Sequence, residues 1–263
     1  MGRLDKPTFA ETQRYGIDRS IQWIDFWALN EFGGNTVVDI ANYTTGTFVN
    51  SPTWDAYGVQ FVSGNDDNIL LPSIFGIKST VMVWFRTTST LDGTLYGEGH
   101  TGDNDRLHLL SINTDSNNDR VRLFIRDSSG TSSYRYATFT NMRDGKLHSI
   151  AATYDFTTDV VGLFFDGVAQ SGTSKNSAPS LDFKTSARFG ITERSAYAWP
   201  LTGTIEVAVR CSDVLSSEQI AEMHYNPYSF LRKPKKVWFA PAAAGGGLSI
   251  PIAMHHYTKN IGG

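Results

Sequence analysis

The sequence contains a single cysteine, Cys211, in 263 residues. One thiol cannot close an intramolecular disulfide, which excludes the small disulfide-framework class and every cysteine-cluster zinc site. No run of 18 apolar residues occurs, so no transmembrane helix is expected. The opening Met1-Gly2-Arg3-Leu4-Asp5-Lys6-Pro7 has no apolar stretch of signal-peptide length, and Lys6 stands where a myristoylation pattern needs Ser or Thr. A formal net charge of −3 gives no support to a nucleic-acid binder. A Gly-x-Ser-x-Gly elbow, a His-Glu-x-x-His pair and a phosphate-binding glycine loop are all missing.

What is present is aromatic and unevenly charged. Sixteen Phe, 11 Tyr and 6 Trp argue against global disorder. The length suits one large all-β domain or two ordinary ones. From Met223 onward there is no Asp or Glu, but there are Arg232, Lys233, Lys235, Lys236 and Lys259. The other 18 basic residues face all 26 acidic ones, so residues 1–222 carry −8. A basic tail behind an acidic body reads as a segment with its own task.

Period-two alternation dominates the middle of the chain. Val81, Val83 and Phe85 share one face of a strand, as do Val121, Leu123 and Ile125 of another, whose opposite face carries Arg120, Arg122 and Arg126. Ile205, Val207 and Val209 alternate with Thr204, Glu206, Ala208 and Arg210, again predicting one buried face. Further strands are expected at 107–112, 134–139, 148–154, 160–165 and 187–191. Asp92-Gly93, Asp144-Gly145 and Asp166-Gly167 supply left-handed positions suited to tight hairpins. Many short strands with regular turns indicate an all-β, two-sheet antiparallel sandwich. One short helix is expected near 216–225, with Ser216 and Gln219 as a capping box and Leu215 and Ile220 as a hydrophobic staple. Asn226-Pro227 stops it.

The ends depart from this pattern. Residues 1–20 read as a polar N-terminal arm, 21–228 as the sandwich, and 229–263 as a basic linker with an apolar C-terminal arm. Ala242-Ala243-Ala244-Gly245-Gly246-Gly247 is a flexible linker. Leu248, Ile250, Ile252 and Met254 then alternate with polar or small residues, and Pro251 restricts that strand to an edge or an isolated arm.

Three ordered blocks carry a resemblance. The first runs from Trp27-Ala28-Leu29-Asn30-Glu31 through Gly34-Asn35-Thr36-Val37-Val38-Asp39 to Asn50-Ser51-Pro52-Thr53-Trp54. The second contains Asp144-Gly145-Lys146-Leu147-His148 and Leu163-Phe164-Phe165-Asp166-Gly167. The third joins Gly203-Thr204-Ile205-Glu206-Val207 to Leu215-Ser216-Ser217-Glu218-Gln219-Ile220. Together they resemble laminin-G-like jelly-roll domains of the concanavalin A-like lectin/glucanase superfamily. The resemblance implies a jelly-roll sandwich with a carbohydrate-binding or protein-binding face. Domains of this kind also occur in tailed-phage virion proteins, ahead of tails similar to Arg232-Lys233-Pro234-Lys235-Lys236-Val237-Trp238-Phe239.

The glucanases of that superfamily use Glu-x-Asp-x-x-Glu on one strand, placing an acid and a nucleophile on one sheet face. Here Glu206 is followed by Val207, Ala208 and Val209, which disfavours a glycoside hydrolase. The expectation is therefore a non-enzymatic, oligomeric virion structural or accessory protein, assembled in a host cytoplasm. Arg232, Lys233, Lys235, Lys236, Trp238, Phe239, Leu248, Ile250, Ile252 and Met254 would dock it to other virion proteins or to copies of itself. The alternative is a carbohydrate-binding module for a host-surface glycan, with Tyr96 and Trp199 as stacking platforms. The arginine row reads as a solvated strand face or as a contact for acidic surface on a neighbouring subunit. No cofactor is required, although Asp66, Asp67, Asp103 and Asp105 supply hard oxygens of the kind calcium takes. His148 reads as a packed or hydrogen-bonded core histidine, and Cys211 as an inert thiol.

Overall fold

Apolar alternation builds two antiparallel sheets that close face to face as a sandwich. The computed structural model describes residues 7–8, 16–17, 21–71, 76–100, 103–113, 119–182, 186–193 and 197–232. The nine-stranded sheet runs in the order Thr173–Lys175, Ser132–Thr138, Arg120–Arg126, Asp103–Ile112, Gly93–His100, Ser186–Phe189, Asn68–Leu71, Thr45–Val49 and Thr36–Val38. The eight-stranded sheet runs Val168–Ala169, Val160–Phe165, His148–Asp155, Lys78–Arg86, Gly203–Cys211, Val59–Phe61 and Thr53–Trp54, with Trp23–Trp27 added against Gly203–Cys211. Among the described residues, the expected all-β jelly roll with one short α-helix is what forms. Among the described residues no helix is long and apolar enough to cross a membrane.

The core is double. Val81, Val83, Phe85, Ile150, Ala152 and Leu163 meet Val121, Leu123, Ile125, Leu110, Ile69 and Phe189 between the sheets. Met82, Trp84, Ala151, Val207, Val209 and Cys211 lie on the opposite face of the eight-stranded sheet and are equally dry. They are covered by helix α1 (Ser217–Tyr225) through Ile220 and Met223, and by Ile21, Phe26, Ile40 and Leu231. Strands Lys78–Arg86 and Gly203–Cys211, expected to bury one face, therefore bury two, whereas Arg120–Arg126 buries one as expected. The helix has the expected cap: the Ser216 hydroxyl accepts from the Gln219 amide, and the Gln219 side chain accepts from the Ser216 amide.

Two local readings are corrected. Strand Gly203–Cys211 shifts register between Ile205, opposite Phe85, and Val207, opposite Trp84. Glu206 is the extra residue of a bulge, and a bulge reverses the alternation beyond it. Ile205 and Ala208 consequently face the inter-sheet core, while Val207 and Val209 face the helix. Of the three Asp-Gly pairs, Asp166-Gly167 makes the two-residue hairpin, with φ of 48° and 77°. Asp92-Gly93 instead lies between strands of different sheets, and Asp144-Gly145 precedes the His148 strand without a paired hairpin.

The two ends of the described body meet. Gly16 pairs with Arg232 and Ile17 with Leu231, so ordered pairing extends past both boundaries of the 21–228 unit. The expected docking residues Lys233, Lys235, Lys236, Trp238, Phe239, Leu248, Ile250, Ile252 and Met254 lie outside the described residues.

Candidate functional site

Trp199 is the predicted carbohydrate platform that the fold places at the surface. It is half-buried, with a left-handed φ of 53°. Few bulky residues adopt that conformation, and those that do cost about 1–3 kcal/mol. The backbone is held there from both sides: the Trp199 carbonyl accepts from the Thr94 amide at 2.9 Å, and Leu201 donates to the Gly190 carbonyl at 2.7 Å. Trp199 and Pro200 form one wall of an open groove of about 580 Å³, whose other lining is Ser63, Gly64, Thr90, Leu91 and Asp92.

The opposite wall is fixed by a buried amide. Asn113 Nδ2 donates to the carbonyls of Ser89 and Leu91 at 3.0 and 2.9 Å, clamping the loop that carries Thr90 and Asp92. The floor is tied by hydroxyls: Thr202 Oγ1 donates to Ser63 Oγ at 2.8 Å and accepts from the Ser63 amide at 3.1 Å. A large aromatic face beside hydroxyls and one carboxylate is the chemistry that holds a sugar ring, by stacking on its C–H face and bonding its hydroxyls. Beyond Thr202 the surface continues into a smaller hollow of about 260 Å³ lined by Gln60, Arg86, Thr87, Thr88 and Thr204. Arg86 there pairs with the buried carboxylate of Glu206 and lies 4.4 Å over the Tyr57 ring.

The second predicted platform is corrected. Tyr96 is fully buried between the sheets, where its hydroxyl donates to Glu98 and accepts from Arg210 Nη1 at 3.0 Å. Burial pushes its pKa well up. The sequence spells an exposed glycine-flanked loop around it, but Gly97 and Gly99 sit in a strand that the Ile191–Glu193 segment crosses too closely for a side chain. Alternation along its strand predicts an outward Arg210; the bulge at Glu206 turns it inward.

The predicted calcium ligands do not gather among the described side chains. Asp66 is exposed, with a left-handed φ of 53°. Asp67 is buried, and its two oxygens accept the amides of Ser51 at 3.0 Å and Val62 at 2.9 Å. Asp103 and Asp105 fall within the Asp103–Ile112 strand, and their side chains are outside the described set. Among the described residues no three His, Cys, Asp or Glu side chains converge as metal ligands.

A cluster the sequence did not assemble lies under the helix. His148 places Nδ1 2.9 Å from Asp166 and Nε2 3.2 Å from Asp144. Ser149 Oγ shares a 2.8 Å hydrogen bond with His224 Nδ1, which stands 4.0 Å from the same Asp166. This has the composition of a nucleophilic triad, but Ser149 is fully buried, so the group acts as a polar tie between sheet, hairpin and helix. Glu206 does not stand as a catalytic acid either, being fully buried and ion-paired.

The outer face of the nine-stranded sheet carries the arginine row. Arg120 lies 4.4 Å over Tyr136, and Arg122 and Arg126 lie 5.2 and 5.7 Å from Phe124.

Comparison with known proteins agrees with this architecture. Solved structures similar to the chain include the botulinum neurotoxin serotype D binding domain, at TM-score 0.60 and 14% identity over 80% of this chain and 54% of that one. Another is the serotype D ligand-binding domain in complex with N-acetylneuraminic acid, at TM-score 0.55 and 16% identity over 80% and 52%. A third is the type G receptor-binding domain, at TM-score 0.54 and 16% identity over 78% and 51%. The chain thus spans about half the length of these structures, and at such identity the likeness is one of fold. No curated protein matches it in sequence. Residues 63–221, more than half of the chain, match the laminin G type family, and the protein belongs to the concanavalin A-like lectin/glucanases superfamily.

Proposed function

We propose that this protein is a non-enzymatic glycan-binding domain displayed on a virion, with the Trp199 groove as its sugar site. The observation that carries the reading is Trp199 itself, held by hydrogen-bonded loops in a strained conformation beside Ser63, Thr90 and Asp92. Strain of this kind persists where surrounding structure over-determines it, and it clusters at binding sites. Family membership and the sialic-acid complex of a similarly folded domain support the class of ligand. The buried, paired state of Glu206 supports a binding role over hydrolysis.

The display part of the proposal rests on the chain's ends. The Gly16–Ile17 and Leu231–Arg232 pairing brings both ends of the body to one place, beside the apolar layer that covers the eight-stranded sheet. Arms leaving from there attach the domain, and the basic linker and apolar C-terminal segment supply the contact with other virion proteins. A glycan array of the full chain against its Trp199→Ala variant tests the site: saturable hits lost in the variant support it, and no hits in either remove it. Deletion of residues 241–263 tests display: the body should still fold while incorporation into particles is lost, and unchanged incorporation removes the docking role.

A further inference from the structure

Given a sugar unit held at Trp199, as proposed above, we infer that the hollow beside Arg86 is an adjoining subsite. The two together take one neutral oligosaccharide, with Gln60 and Thr88 holding its second unit. The same three segments of chain, within 60–64, 86–92 and 199–204, line both depressions. Thr202 joins them: its hydroxyl donates to Ser63 Oγ at 2.8 Å, and its carbonyl accepts from Thr87 Oγ1 at 2.7 Å. The junction is therefore tied to both neighbouring segments, which fixes the spacing of the two depressions. Thr88 in the hollow and Thr90 in the groove stand two residues apart on one wall, at most about 7 Å between Cα atoms. Successive units of one glycan span such a step.

The same chemistry repeats on either side of the junction. Each depression has an exposed apolar side chain, Leu91 in the groove and Val62 in the hollow. Each also has polar groups with bonds to give. Thr90 in the groove, and Gln60 and Thr88 in the hollow, are exposed, and their side chains make no hydrogen bond among the described residues. Strand pairing places Gln60: it stands between Thr53 and Thr204 across three strands, and Thr204 in turn stands opposite Arg86. Residues so paired share one face of a sheet, here the outer one, because Val59, Phe61 and Ile205 supply the inward face. A carboxamide both donates and accepts, which suits neighbouring hydroxyls of one sugar ring.

Charge narrows the ligand to a neutral chain. Among the described residues Arg86 is the one cation lining either depression, and the buried carboxylate of Glu206 already answers its charge. The other charged group of the lining is the carboxylate of Asp92. A carboxylated or sulfated unit would give up water beside Asp92 without gaining a cation in exchange. Uncharged units, with C–H faces for Trp199, Leu91 and Val62 and hydroxyls for Thr88, Thr90 and Gln60, match the lining on both counts.

The test is calorimetric titration of the full chain with the mono-, di- and hexasaccharides of the maltose, cellulose, mannan and chitin series, and with an α2,8-linked sialic acid hexamer. One or more neutral series should bind, the disaccharide about tenfold more tightly than the monosaccharide, and the sialic acid hexamer should not. Gln60→Ala and Thr88→Val should each weaken the hexasaccharide about fivefold and the monosaccharide far less, whereas Trp199→Ala should weaken every length. Both new substitutions are at exposed positions, and unchanged melting curves would show that the loss is one of binding and not of folding. Equal affinity for all lengths, or hexasaccharide binding that Gln60→Ala and Thr88→Val leave intact, overturns the second subsite while Trp199 dependence keeps the groove. Tighter binding of the sialic acid hexamer overturns the neutral class. Absence of saturable binding by every neutral series overturns the inference as a whole, and the glycan array with Trp199→Ala judges the groove separately.

Discussion

Arg210 donates through Nε to Asp25 Oδ2 at 2.7 Å in the interior of the sandwich, with both side chains essentially out of water. Arg210 Nη2 reaches the same oxygen, Nη1 reaches Tyr96, and the guanidinium lies 5.2 Å over Trp27. Desolvation opposes the charge, but the opposed oxygens of Tyr96 and Asp25 outweigh it and raise the arginine pKa further.

Removing one member leaves the other charged and unpaired. Arg210→Met should therefore cost about 3–5 kcal/mol in chemical denaturation. The double variant Asp25→Leu with Arg210→Met removes both charges and should recover much of that loss. A double variant no more stable than the single one would show that the pair acts through shape and not charge.

His148 makes stability pH-dependent in a defined direction. Burial lowers its pKa, but hydrogen bonds and attraction from Asp166, and then from Asp144, outweigh that and raise it above the ordinary 6.5. Both ring nitrogens face carboxylates, and only the imidazolium can donate to both. Its stabilisation is complete below pH about 6.5 and fades as pH rises through the raised folded value. His224 is opposite: burial lowers its pKa, so its contribution is present above about 6.5 and is lost as pH falls. His148→Gln should thus lower the melting temperature more at pH about 5.5 than at about 8.5, and His224→Gln should do the reverse. Equal losses at both pH values in both variants would sink this account.

Cys211 should be silent in the folded protein. It is fully buried on the helix-facing side of its strand, and burial, followed by the charge of Asp213, pushes its thiol well up. A thiol-reactive probe should label it only at the rate at which the protein opens, with labelling rising alongside denaturant unfolding. Labelling of the native protein at the rate of a free thiol would contradict the packing described for this strand.

How much of this was legible in the sequence depends on range. The capping box at Ser216 and Gln219 and the hairpin at Asp166-Gly167 are local, and both were readable as written. Inward positions such as Val121, Leu123 and Ile125 followed from alternation alone. Alternation failed at Glu206 because a bulge is set by the partner strand, and one inserted residue exchanges the two faces beyond it. Burial of the second face, as at Met82 and Trp84, depends on a helix more than 130 residues away in sequence, which no window along the strand contains. Tyr96 departs from its sequence pattern for the same reason: its flanking glycines spell a loop, yet they are required by a chain segment that crosses a strand. Trp199 was legible as an aromatic beside a proline, but the groove around it comes from three separated loops.

The strain at Trp199 separates folding from binding in one experiment. A non-glycine residue at a φ of 53° carries a backbone penalty that glycine does not, about 1–2 kcal/mol. Trp199→Ala and Trp199→Gly remove the same indole, so the ligand-binding loss should be equal, about tenfold or more in affinity for any glycan the array identifies. Their stabilities should differ, with Trp199→Gly the more stable by about 1 kcal/mol, or a rise in melting temperature of about 2–4 °C over the alanine variant. Under the proposed function, the parent keeps this penalty because a glycan stacks on the indole. If glycine and alanine at this position melt together, the backbone is not strained, and the proposed sugar site loses one of its supports. If the two separate as expected while binding falls alike, the indole is kept for recognition at a cost in stability.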